Sequence, residues 1–78
     1  MRLEFTKQQQ VEFAERVRLF RESRGWPRER LARELGVPVG MIRNYEGAYR
    51  PTLEFVVQFA ALEAKVERER VEMPATWT

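Results

Sequence analysis

The sequence predicts an all-α fold, a compact bundle of four or five helices, on three observations. Apolar residues recur at three- and four-residue spacing through most of the 78 positions. Thr, Pro and Gly stand where helices start and stop. Alternation of the β type is weak and falls near the two ends, at residues 1–5 and 65–73.

The elements follow in order. Met1 to Phe5 alternates weakly, as in an extended arm or short strand. Thr6 with Gln9 forms a capping box and opens a first helix to about Arg24, with Phe13, Ala14, Val17 and Phe20 on one face. Gly25 ends it and Trp26 drops toward the core. A short second helix over Arg28 to Leu35, entered from Pro27, turns Leu31, Ala32 and Leu35 inward and stops at Gly36. Pro38 opens a third helix to about Glu46, with Ile42 and Tyr45 inward, and Gly47 to Pro51 is a loop. Thr52 caps a fourth helix whose Leu53, Val56, Val57 and Ala60 line one face. Phe55, Phe59, Leu62, Val66 and Met73 form a second stripe. Residues 65–73 read either as a continuation of that helix or as a strand after a break near Ala64, the helix being favoured by Ala, Glu, Arg and Lys. Pro74 ends it in either case. The expected organisation is an extended arm or short strand at 1–5, a helix-turn-helix domain at 6–62 and a helical extension or tail at 63–78, a candidate dimerisation element.

Composition narrows the function. Cys and His are both absent, so neither a disulfide nor a Cys/His metal cluster can form and no metal or other cofactor is expected. All 12 acidic residues are Glu, and Ser23 is the one Ser, without His, Cys or Asp to activate it. The chain therefore does not read as an enzyme. Apolar runs are far shorter than a membrane span, and a soluble, cytoplasmic protein is expected. Residues 1–50 carry 11 Lys/Arg against 7 Glu, and residues 51–78 carry 3 against 5. A basic front of this kind suits a polyanion. Arg outnumbers Lys 12 to 2, and guanidinium is the better bidentate partner for phosphate.

Two short helices joined by a tight turn containing Gly make a helix-turn-helix. Its signal here is Leu31-Ala32-Arg33-Glu34-Leu35-Gly36-Val37 followed by Ile42 and Tyr45. Ala32 is small where a helix crosses over it. Gly36 takes the left-handed conformation that a sharp turn requires.

The ordered set Phe13-Ala14-Glu15-Arg16-Val17-Arg18-Leu19-Phe20-Arg21, Gly25-Trp26, the run above, Tyr45-Glu46, Arg50-Pro51 and Leu53-Glu54 resembles the phage-repressor and Cro-like helix-turn-helix family over residues 11–62. The resemblance implies a lambda-repressor-like fold and a sequence-specific DNA-binding regulator, commonly a dimer on a palindromic operator. Where the family places Thr-Gln at the start of the second helix, this chain has Pro27-Arg28, and Arg28 replaces the phosphate contact by charge. Where the family opens its recognition helix on polar residues, this chain has Pro38-Val39-Gly40-Met41. Val39 and Gly40 occupy base-reading positions without hydrogen-bonding groups, though Val39 suits a thymine methyl. Arg43 and Asn44 remain as the polar readers. Arg24, Arg28, Tyr49 and Arg50 are the candidate phosphate contacts. Glu46 is expected to pair with a nearby Arg.

A fourth helix apolar on two faces has more apolar area than one small core consumes. Phe55, Phe59, Leu62 and Val66 are accordingly expected to form a homodimer interface. The competing reading is a small helix-turn-helix factor that binds protein, either a phage-encoded modulator of host transcription machinery or an antitoxin covering a toxin. The apolar start of the third helix favours it.

Overall fold

Four helices run through the computed structural model, which describes residues 5–72: α1 (Lys7–Glu22), α2 (Arg28–Leu35), α3 (Val39–Glu46) and α4 (Leu53–Glu72). Local chemistry sets their boundaries. The Thr6 hydroxyl accepts from the Gln9 amide at 3.0 Å, and the Gln9 side chain accepts from the Thr6 amide at 2.9 Å, completing the capping box. After α1 the chain turns at Gly25, where φ is +67°. Gly36 ends α2 with φ +70°, and the Val37 amide donates back to the Ala32 carbonyl at 3.0 Å. That closure gives the tight angle between α2 and α3. Thr52 caps α4 through its hydroxyl, which accepts from the Phe55 amide at 3.1 Å.

Residues 65–72 continue α4 as helix, so the strand alternative is set aside. The strand or arm read at 1–5 lies outside the described residues except for Phe5, whose ring sits 6.4 Å from that of Phe13. Met73 and Pro74 also lie outside them.

All four helices contribute to the core: Phe13, Val17 and Phe20 from α1, Leu31 and Ala32 from α2, Ile42 and Tyr45 from α3, and Phe55, Phe59 and Leu62 from α4. Its centre is aromatic. Phe59 meets Phe13 and Phe20 edge-on at 5.7 and 5.2 Å, and Phe55 lies 4.3 Å from Tyr45. Such pairs add about 0.5–1.5 kcal/mol each beyond the area they bury. Trp26 is half-buried and meets Phe20 edge-on at 5.8 Å.

The stripe of α4 that the sequence assigns to a dimer contact is the one that turns into the core, while of the other stripe only Val56 stays half-buried against it. Phe55, Phe59 and Leu62 are buried in this chain's own core, and half-buried Val66 packs against it. The first three have no surface left for a second chain, which corrects their assignment to a dimer interface. Leu53 and Val57 point outward instead, 58% and 57% exposed. The reason is area: burying two phenylalanines removes far more apolar surface from water than burying a Leu and a Val.

Ala32 is buried in α2 where that helix packs on α3. Ala32→Leu should overpack this crossing at a cost of about 1–3 kcal/mol. Thermal unfolding should show a lower midpoint, and an unchanged one would disprove the close crossing.

Candidate nucleic-acid interface

The orientation of α3 is fixed by one carboxylate. Glu46 ends the helix with its side chain only 2% exposed, and it is held by two arginines. Arg21 of α1 grips it in a fork, Nε to Oε2 at 2.6 Å and Nη2 to Oε1 at 3.1 Å. Arg28 of α2 donates through Nε to Oε1 at 3.0 Å. The remaining Nη1 of Arg21 donates to the Trp26 carbonyl at 3.0 Å, securing the turn between α1 and α2. The hydrogen bond to Glu46 raises the Arg21 pKa above the usual arginine range, against the opposing effect of desolvation. A cation whose folded pKa is raised contributes its full stability below the unfolded pKa and loses it only above that value. The clamp on the Arg21 side is therefore intact throughout the neutral range.

With Ile42, Tyr45 and Glu46 buried, helical periodicity turns Gly40, Arg43 and Asn44 to the opposite side. Arg43 and Asn44 are exposed. A Cβ added at Gly40 would meet nothing within 4 Å, so the helix backbone is bare there. Val39 and Met41 flank this face, half-buried against the margin of the core. Of the four predicted base-reading residues, Gly40, Arg43 and Asn44 share one open face and Val39 stands at its edge.

Beyond α3 the loop is drawn back against the helix. Ala48 adopts φ +68°, a conformation that costs a residue with a Cβ roughly 1 kcal/mol or more. It lets the Tyr49 amide reach the Asn44 carbonyl at 3.1 Å. Tyr49, 63% exposed, and Arg50 then join Pro38, Met41, Asn44 and Tyr45 around an open groove of about 480 Å³. Arg43 and Arg50 make no ion pair among the described residues, so their charge is free for an anion.

The other two predicted phosphate contacts are partly engaged. Arg24 lies 3.9 Å over the Phe20 ring, and its Nη1 donates to the Phe20 carbonyl at 3.0 Å and to the Ser23 hydroxyl at 3.2 Å. Arg28 spends its Nε on Glu46 but remains 43% exposed. Sequence reasoning anticipated a partner for Glu46 but missed Arg21 as the principal one. The available signal was an arginine one turn after buried Val17, on an α1 stretch that leads straight into Gly25-Trp26. Another open concavity lies on α1 and α4, where Glu12, Glu15 and Glu22 stand beside the Arg16–Glu63 ion pair, leaving it net acidic. That charge repels a polyanion.

Residues 12–73 match the model of a family described as a helix-turn-helix domain, one associated with phage and prokaryotic repressors like Cro. No curated protein and no solved structure matches the chain.

Removing one partner of a buried ion pair costs roughly 3–5 kcal/mol, since the other charge is left stranded. Glu46→Ala should accordingly destabilise the domain by about 3 kcal/mol, and Glu46→Gln by less because its amide oxygen still accepts from Arg21. Urea unfolding of the two variants checks the order. Equal, small losses would show that the carboxylate does not hold α3.

Proposed function

The chain belongs to the helix-turn-helix domain family, and on that footing we propose that it is a sequence-specific DNA-binding transcriptional regulator, phage or prokaryotic, that works in the cytoplasm as a homodimer and lays α3 in the major groove. The observation that carries the reading is the open face of α3, where Arg43 and Asn44 stand beside bare backbone at Gly40. Arg43 suits guanine O6 and N7, and Asn44 suits adenine N6 and N7. Gly40 allows the helix to approach base edges closely, and Val39 at the rim suits a thymine methyl. Arg50 and Tyr49 contact phosphate from the loop, and the exposed end of Arg28 contacts it from α2. These contacts position the helix without reading sequence.

A second reading rests on the same face. It offers only two hydrogen-bonding side chains, and Met41 and Val39 beside it are apolar, which suits a protein surface in the transcription machinery or a toxin. The two readings part on discrimination between sequences.

On a duplex selected for tight binding, Arg43→Ala or Asn44→Ala should each cost about 1–3 kcal/mol and relax preference at one base step. Arg50→Ala should weaken selected and scrambled duplexes alike and reduce the salt slope by about one unit. Fluorescence titrations at two salt concentrations measure both. Equal wild-type affinity for the two duplexes at each salt would reject the sequence-specific regulator and favour the protein-binding factor.

A further inference from the structure

We propose that the outward face of α4 is the surface on which a second copy of this chain packs, the two α4 helices crossing antiparallel. This names the contact for the pair of copies invoked above and rests on that reading. The face opposite Phe55, Phe59 and Leu62 carries Leu53, Val57, Ala60 and Ala64, all exposed. Their spacing of four, three and four residues is the seam spacing of paired helices. The seam runs about 16 Å along the helix. No charged residue lies on it between Leu53 and Ala64, in a chain that is 33% charged.

Two features select a second copy, and the antiparallel direction, as its occupant. The first is shape. The bulky residues stand at the start of the seam and the small ones at its end. In an antiparallel pair Leu53 faces Ala64 of the second copy and Val57 faces Ala60, large against small at every layer. A parallel pair would set small against small at one end and leave voids. The second is charge. The next seam position is Glu67, which a parallel pair would oppose to itself. The antiparallel pair sets the two Glu67 residues at opposite ends of the seam. It also brings Glu54 within a helical turn of Lys65 of the second copy, and both residues are exposed. One surface thus supplies both halves of a self-complementary contact. The seam is short against the roughly 800 Å² per partner of a standard interface, so the pair is a weak one that two DNA half-sites would reinforce.

Sedimentation of the full chain without DNA should show the mass rising from one chain toward two as concentration increases. Val57→Arg, at an exposed position, should hold it at one chain with an unchanged thermal midpoint. Glu54→Lys should weaken association at least several-fold, and the double variant Glu54→Lys with Lys65→Glu should restore it. On DNA, Val57→Arg should keep wild-type affinity for a single half-site and lose the gain on a two-half-site duplex. A wild type that stays monomeric both free and on the two-half-site duplex would overturn the proposal, as would a dimer that Val57→Arg leaves intact. Dimers sensitive to Val57→Arg that discriminate no duplex would uphold the surface and reject the regulator reading alone.

Discussion

The buried carboxylate of Glu46 is the constraint from which the rest of the domain follows. It lies at the C-terminal end of α3 with three hydrogen bonds from two guanidiniums, one on α1 and one on α2. A chain of this length has a thin core, and α3 is only two turns long. Apolar packing of Ile42 and Tyr45 can hold such a helix down but allows it to roll. A fork between Arg21 and Glu46 is directional and sets which residues face outward. Buried ion pairs contribute little net stability compared with apolar replacements. What this one supplies is register: the same bonds that bury Glu46 present Arg43 and Asn44.

That arrangement also shapes the electrostatics around α3. Glu46 is the one acidic residue of the helix, and its charge is enclosed between Arg21 and Arg28. Arg21 also lies 3.7 Å from Glu22, so the cluster balances two cations with two carboxylates and presents the exposed part of Arg28 on its outer side. Arg43 and Arg50 add positive charge. The acidic residues Glu12, Glu15 and Glu22 gather instead around the groove between α1 and α4. A modest overall charge of +2 is therefore divided by the fold into a basic side at α3 and an acidic side away from it, which is the distribution that orients a protein toward a polyanion.

The sequence made the local features legible and left the long-range choices open. Thr6, Gly25, Gly36 and Thr52 act on amides within a few residues of themselves, so the boundaries they imply recur in the structure. Ala32 and the α2–α3 turn are equally local. The faces of α4 are not. Its two stripes have similar periodicity, and the choice combines the larger area of Phe55 and Phe59 with the rings of Phe13, Phe20 and Tyr45 that other helices bring against them. Arg24 shows the same limit at the site. As a residue type it qualifies as a phosphate contact, yet its position beside the Phe20 ring and carbonyl depends on how α1 ends. The exposure of Arg43, Asn44, Tyr49 and Arg50 was legible because none of them falls on an apolar stripe.

The two faces left open by this packing complement each other in energy. If α3 reads bases as proposed, its two hydrogen-bonding side chains, each worth about 1–3 kcal/mol of discrimination, would supply about 2–6 kcal/mol per copy. Specific regulators exceed their own non-specific binding by roughly 4–10 kcal/mol. One copy of α3 reaches only the lower part of that range, because Gly40 and Val39 add no hydrogen bonds. On the proposed regulator reading, two copies on a symmetric site would double the discrimination while each keeps the same short, sparsely polar helix. The exposed Leu53–Val57 edge of α4 is an apolar surface on which the proposed pair could form, since the aromatic stripe is already spent on the core. The packing of α4 thus bears on the proposed recognition: burying Phe55 and Phe59 stabilises the core behind α3, and leaving Leu53 and Val57 outside supplies the face through which the proposed pair would form.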